Sequence, residues 1–279
     1  MRYFTTLEND QIDSIAIGGF DGVHKAHQHL ISKLSSNSLV LVIDKKRASL
    51  TPNTQRNRYI NTGVCFIDYQ KIKDLSSKEF VDFLLKRFKN LKKIVVGYDF
   101  KFGKDRMGDV TTLKKLFKHK VEVIEQIKLD DIAIHSRVIK ELIKSGKIQK
   151  ANRLLGRNYL IQGDVIKGLG IGKKSLYPTL NIKVEKFLIP KSGVYATLAT
   201  INDKKLPSVT FIGHRLSVDN SFSIETHIVD IKKEIKIESL EIEFVKFLRE
   251  NRKFSNLDEL KKEISKDIYC TKQELNTFF

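Results

Sequence analysis

Apolar and polar positions follow two different rhythms in the two halves of the chain. Residues 15–17, 38–43, 64–67, 93–96 and 121–124 are short, nearly continuous apolar runs, as strands covered on both faces should be. Between them apolar residues recur at helical spacing. Residues 24–35 offer Leu30, Ile31 and Leu34, with Val23 just before. Residues 79–88 present Phe80, Phe83, Leu84 and Phe88 on one side, after the capping box Ser76-Ser77-Lys78-Glu79. Asp109 is expected to cap a third helix, through Lys118. Strand and helix in repetition predict a parallel sheet with helices on both faces and ligands at the C-terminal strand ends. Gly18-Gly19 and Gly97 fall at such ends. Two further helices, Ser136–Lys144 and Ile148–Leu155, each stop at a glycine, and a domain boundary is expected at Gly156-Arg157.

Beyond that boundary the period falls to two. Residues 159–166, 179–184, 194–201, 208–212, 223–229 and 240–247 are short strands between turns, many alternating as in Leu240-Glu241-Ile242-Glu243-Phe244. No helix intervenes until Ser255-Asn256-Leu257-Asp258, read as a capping box opening a helix to about Leu275. The expected fold is therefore a Rossmann-like α/β domain, residues 1–156, followed by a six-stranded antiparallel barrel with a C-terminal helix, residues 157–279.

Composition narrows the class. The 279 residues are 41% apolar and 30% charged, as in a soluble globular protein, and no apolar run reaches the length of a membrane span. Met1-Arg2-Tyr3-Phe4-Thr5 lacks the apolar core of a signal peptide, so Cys65 and Cys270 are expected to be reduced thiols in the cytoplasm. The net charge of +18 suits anionic partners, nucleotides or nucleic acid, although the lysines are spread evenly enough to be ordinary solvated surface.

Four stretches carry candidate chemistry. In the first, Gly18-Gly19-Phe20-Asp21-Gly22-Val23-His24-Lys25-Ala26-His27, a strand, a glycine turn and a helix start follow one another. That order makes an anion site, with His24 and His27 on one face of the first turn. The HxxH pair could otherwise ligate a metal or be incidental. In the second, Gly97-Tyr98-Asp99-Phe100-Lys101-Phe102-Gly103, the aromatics could be core or a wall for a flat ring system. The third holds Gly168, Gly170, Gly172 and Lys173, a basic glycine loop suited to phosphates. It continues into Pro178-Thr179-Leu180-Asn181, whose alternating hydroxyl and side-chain carbonyl are hard oxygen ligands for Mg²⁺. In the fourth, Ile224-Glu225-Thr226-His227, the carboxylate is a candidate general base or an outward, half-solvated Glu.

These stretches, in this order, resemble the prokaryotic bifunctional riboflavin kinase/FMN adenylyltransferase (FAD synthetase) family. The resemblance extends to Ala151-Asn152-Arg153-Leu154-Leu155-Gly156-Arg157, to Gly193-Val194-Tyr195-Ala196 and to Leu248-Arg249. It implies two ATP-using reactions: phosphorylation of riboflavin to FMN, and adenylylation of FMN to FAD with release of pyrophosphate. It places ATP at Gly18, Gly19, Phe20, Asp21, Gly22, His24, His27 and Ser136 in the first domain. In the second it places ATP at Gly168, Gly170, Gly172, Lys173, Thr179 and Asn181. Thr179 and Asn181 would hold Mg²⁺, Glu225 would be the base, and Tyr98, Asp99, Phe100, Phe102 and Arg249 would meet flavin. The family's HxGH appears with Ala26 for glycine, and its Ser-Ser-Thr-x-Ile-Arg appears as His135-Ser136-Arg137-Val138-Ile139-Lys140. The alternatives are a riboflavin kinase with a weak or repurposed first domain, and a basic nucleic-acid-binding regulator on the same fold.

Overall fold

The computed structural model describes residues 1–45, 49–167, 177–216, 219–231 and 237–275. Gly168, Gly170, Gly172 and Lys173 lie outside the described residues. The chain forms two compact units, Met1–Val138 and Ile139–Phe279.

The first unit is built on a six-stranded sheet in the order β1-β4-β3-β2-β5-β6. Its strands are β1 (Arg2–Phe4), β2 (Ser14–Gly18), β3 (Ser38–Asp44), β4 (Gly63–Asp68), β5 (Lys93–Gly97) and β6 (Lys120–Ile124). All neighbours are parallel except β1, an antiparallel edge strand that the sequence pattern does not signal. Alternation within each run splits the core between the two faces. Ile15, Ile17, Leu39, Leu41, Ile94 and Val96 pack under α2 (Ser77–Arg87) and α3 (Val110–Leu116), whose Phe80, Val81, Leu84 and Leu113 are buried with them, as is Phe88 at the C-cap of α2. Ala16, Val40, Val42, Val64 and Val95 face the other way, with Leu30 and Ile31 of α1 (Lys25–Ile31). Each fully buried Leu or Phe of this kind stabilises the fold by about 1.5–3 kcal/mol. The expected capping box is present: Ser76 Oγ accepts from the Glu79 N–H, and the Glu79 carboxylate accepts from the Ser76 N–H.

Two features correct the sequence reading. Helix α1 runs only seven residues and is already capped at Ser32, so it is shorter than the expected 24–35. A hairpin of β7 (Lys128–Leu129) and β8 (Ile132–Ala133) precedes α4 (Ser136–Lys144). Its turn residues, Asp130 and Asp131, are both left-handed (φ 49° and 60°).

The second unit is a closed antiparallel barrel in the order β10-β13-β12-β11-β14-β9. The strands are β9 (Tyr159–Ile166), β10 (Leu180–Val184), β11 (Gly193–Ile201), β12 (Lys204–His214), β13 (Phe222–Ile228) and β14 (Ser239–Arg249). Closure leaves no edge strand to pair with other chains. The division between the units falls before Ile139, earlier than the boundary expected at Gly156-Arg157. Helix α5 (Ile148–Leu155) packs on β14 and β9, and one link is Asn152. Its side chain donates to the Phe244 carbonyl at 2.8 Å and accepts from the Tyr159 N–H at 2.8 Å, clasping α5 to β14 and β9. Gly193 (φ 151°) has no room for a side chain: a Cβ there would lie 2.6 Å from the Arg249 carbonyl. Helix α6 (Leu257–Leu275) packs on β11, β12 and β14. Its cap is Asn256, not the expected Ser255: Asn256 Oδ1 accepts from the Glu259 N–H, and the Glu259 carboxylate accepts from the Ser255 N–H.

Candidate active sites

The glycine turn after β2 is wound left-handed at three of four consecutive positions. Phe20 (φ 47°) and Val23 (φ 39°) flank Asp21-Gly22 (Gly22 φ 88°), and the Val23 N–H closes the turn on the Phe20 carbonyl at 3.2 Å. A buried, β-branched residue in this conformation is strained, and strain of this kind collects at functional sites. Gly18 lies under the Phe20 ring, whereas a Cβ on Gly19 would meet nothing within 4 Å, so the backbone is open to a ligand there.

His24 does not lie in the helix. It is the cap of α1, in extended conformation, and its Nδ1 accepts from the His27 N–H at 3.3 Å. The two imidazoles stack with centroids 3.6 Å apart and planes 13° apart, and Phe20 lies 5.1 Å from His27. The pair therefore does share one face, through capping and stacking. Asp21 braces the turn. Its carboxylate accepts from the N–H groups of Leu50 and Thr51, at 2.8 and 3.2 Å, and its carbonyl accepts from Ser136 Oγ at 2.7 Å. The hydroxyl of Ser136 thus ties the start of α4 to the turn.

The aromatic stretch after β5 divides. Phe102 is buried in the core against Phe80, which takes it out of any exposed wall, and Phe100, partly buried, stacks on Phe102. Tyr98 and Asp99 are exposed at the strand end. The Tyr98 hydroxyl accepts from Gln126 Nε2 at 2.7 Å and lies 3.1 Å from His135 Nε2, making a polar group of which Gln126 lies in no motif.

In the barrel, period-two alternation places Thr179, Asn181 and Glu225 together. Asn181 is the cross-strand partner of Glu225, and Thr179 Oγ1 is 3.5 Å from Glu225 Oε2. Glu225 Oε1 accepts from Ser223 Oγ at 2.9 Å and is 3.5 Å from Arg215 Nη1. Arg215 belongs to Phe211-Ile212-Gly213-His214-Arg215-Leu216-Ser217, which resembles the family's Asn-Ile-Gly-x-Arg-Pro-Thr, and the resemblance gives it no role; Ser223 lies in no motif, although it is two residues from Glu225 on the same strand face. His227 is buried, and its Nδ1 must donate to the Pro178 carbonyl at 2.9 Å, since a carbonyl only accepts. Burial holds its ionisation below the usual imidazole range.

Arg249 is fastened to α6. Its Nε and Nη2 donate to the two oxygens of buried Asp267, at 2.9 and 2.7 Å, and its guanidinium lies over the Phe254 ring. Burial pushes the Asp267 carboxyl up.

Both halves match known families. The FAD synthetase family model matches residues 6–138, and the riboflavin kinase family model matches residues 155–275. The bifunctional riboflavin kinase/FMN adenylyltransferase of Buchnera aphidicola subsp. Schizaphis graminum is 32% identical, over 94% of this chain and 94% of its own. The enzyme of the same description from Pseudomonas fluorescens is 29% identical over 90% and 89%, and that of Escherichia coli K12 28% identical over 91% and 90%. A crystal structure from Streptococcus pneumoniae, described as a macrolide-efflux protein, superposes with a TM-score of 0.84 at 24% identity, covering 94% of each chain, which shows a common fold. With one family model on each unit and a relative 32% identical over 94% of both chains, the chain belongs to the bifunctional riboflavin kinase/FMN adenylyltransferase family.

Proposed function

We propose that the chain makes FAD in two steps, phosphorylating riboflavin in the barrel and adenylylating FMN in the α/β unit, with ATP as co-substrate of both. The observation that carries the reading is the meeting of Thr179, Asn181 and Glu225 in the unit that matches riboflavin kinase. We assign the kinase to residues 157–279 and the adenylyltransferase to residues 1–156. The work of both is set in the cytoplasm, with Cys65 and Cys270 as free thiols.

In the kinase, Glu225 takes the proton of the ribityl 5′-hydroxyl as that oxygen bonds to the γ-phosphorus of ATP and the bond to the β-phosphate oxygen breaks, leaving FMN and ADP. The Thr179 hydroxyl and Asn181 amide carbonyl are hard oxygens beside Glu225. Such a donor set fits Mg²⁺, which takes few protein ligands and shares the rest with phosphates. Bound there, the ion would supply charge neutralisation on the phosphates. Arg249, held by Asp267, lies toward the flavin.

In the adenylyltransferase, an oxygen of the FMN phosphate attacks the α-phosphorus of ATP and pyrophosphate leaves, so no protein nucleophile is needed. The open backbone at Gly19 and the stacked His24 and His27 hold the phosphates and stabilise the charge developing on them, with Asp21 and Ser136 fixing the turn. Tyr98 and Asp99 offer the exposed surface for the flavin.

Two variants of the full chain test the assignment, with riboflavin or FMN, ATP and Mg²⁺ supplied and products separated by chromatography. Glu225→Gln should lower FMN formation by about 10²–10⁴-fold, the usual range for a lost acid–base group, while added FMN is still converted to FAD. His27→Ala should do the reverse. Equal loss of both activities in either variant would remove the assignment of separate sites. Wild-type protein that never forms FAD from added FMN would leave only the kinase half.

A further inference from the structure

The two oxygens of Glu225 have unequal surroundings. Oε1 is held by Ser223 Oγ at 2.9 Å and by Arg215 Nη1 at 3.5 Å. Among the described residues, Oε2 has a single long contact, 3.5 Å, with Thr179 Oγ1. Arg215 is itself fixed by the turn between β12 and β13. Its Nη2 pairs with Asp219 at 3.0 Å, its Nε donates to Ser221 Oγ at 3.1 Å, and its backbone N–H donates to the Ser221 carbonyl at 2.9 Å. The Ser221 N–H in turn donates to Asp219 Oδ1 at 3.2 Å, and this bond chiefly holds the Asp219 carboxyl below its usual range, keeping it ionised as a partner for Arg215. The Arg215 side chain is only 18% exposed, so it has little freedom to swing away.

We infer that Arg215 is a positioning residue of the kinase: by holding Oε1 of Glu225 it makes Oε2 the atom that receives the ribityl proton. The inference rests on the reading of Glu225 as the base. The physical reason is the terminal torsion of a glutamate side chain, which is broad and two-fold. A carboxylate free to turn presents either oxygen, in many orientations, to the hydroxyl. A guanidinium and a hydroxyl on one oxygen fix that rotation before substrate arrives, so no reorganisation is needed during the reaction. Asp219 and Ser221 act one step further out, by holding the guanidinium.

The test uses the full chain and steady-state riboflavin kinase kinetics. Arg215→Met should lower kcat by about 10–100-fold, the scale of an ångström misplacement of a reacting group, with KM for ATP and for riboflavin within about twofold of wild type. Arg215→Lys should recover part of the loss. Arg215→Ala should be partly restored by millimolar guanidinium chloride and not by equal sodium chloride. Asp219→Asn should show a smaller fall in kcat of the same kind. Wild-type kcat in Arg215→Met overturns the inference. So does a rise in KM for ATP at constant kcat, which would make Arg215 a nucleotide contact. A loss that neither lysine nor guanidinium relieves, accompanied by a lower melting temperature, also overturns it, because the residue would then be only a structural brace. An active Glu225→Gln variant would instead remove the base reading itself, whatever Arg215 does.

Discussion

The barrel interior contains a chain of hydroxyls whose energetics follow from counting protons. Thr197, Ser208, Thr210 and Thr226, on β11, β12 and β13, are all fully buried. Thr197 Oγ1 donates to the Ser208 carbonyl at 3.0 Å, and its oxygen lies 2.7 Å from Ser208 Oγ and 2.8 Å from Thr210 Oγ1. Thr210 Oγ1 is 3.0 Å from Thr226 Oγ1. Each hydroxyl has one proton. Because Thr197 spends its proton on a carbonyl, Ser208 and Thr210 must both donate to Thr197, and Thr226 must donate to Thr210. The direction of the whole chain is thereby determined. Thr226→Val then removes one acceptor role of Thr210 and strands no donor, costing about 1 kcal/mol. Thr210→Val removes the bond to Thr197 and leaves the Thr226 proton buried without its acceptor, costing about 2–3 kcal/mol.

The double substitution tests the argument most sharply. With Val at both positions no proton is stranded, and Thr197 keeps both Ser208 contacts. The double variant should therefore be more stable than Thr210→Val alone, by about 1 kcal/mol or more. For a unit of this size the barrel melting temperature should fall about 5–10 °C in Thr210→Val and about 2–4 °C in Thr226→Val, with the double variant near the latter. The assay is residual riboflavin kinase activity after timed heating, alongside thermal melting by circular dichroism. FMN adenylylation serves as the control for the α/β unit. Equal costs for the two single variants, or a double variant whose loss is the sum of both, would refute the proton assignment.

Two further outcomes follow from local structure. Burial holds His227 below its ordinary value of 6.5, so between its folded value and 6.5 the unfolded chain binds more protons. Its contribution to stability is therefore full above pH 6.5 and is lost as pH falls through the folded value; His227→Gln, which keeps a donor for Pro178, should flatten this dependence in urea titrations run from pH 7.5 to 5. Asn256→Ala should destabilise α6 by about 1 kcal/mol while Ser255→Ala changes it by less than about 0.5, because Ser255 contributes only its backbone N–H; equal effects in thermal melts would return the cap to Ser255.

Most of the fold was legible because both periods of the chain are enforced by burial. Ile15 and Ile17 go to one face of the sheet and Ala16 to the other, and both faces are covered. What escaped notice was short or held by few residues. Strand β1 is three residues long and carries no alternation to read. The β7–β8 hairpin turns on Asp130-Asp131, where glycine would have advertised the left-handed pair. Helix α5 reads from its sequence as the last helix of the first half, whereas it packs on β14 and β9, where Asn152 bonds to Phe244 and Tyr159.

The site was legible to the extent that its chemistry is local. Thr179 and Asn181 are two residues apart on one face, so alternation alone brings their oxygens together, and register then sets Asn181 against Glu225. Alternation fails where it must tell inside from outside, as at Phe102, whose period is right and whose destination is the core. It fails again for His24, because a cap and a first helical residue differ only in backbone angles. Arg215 is the most instructive case, because the motif resemblance reaches it without giving it a role. It lies ten positions before Glu225, and only the fold-back of β12 onto β13 carries its guanidinium to Oε1. A sequence motif marks the group that reacts. What the groups around it do is decided by cross-strand geometry, so their roles surface only when the hairpin is in view.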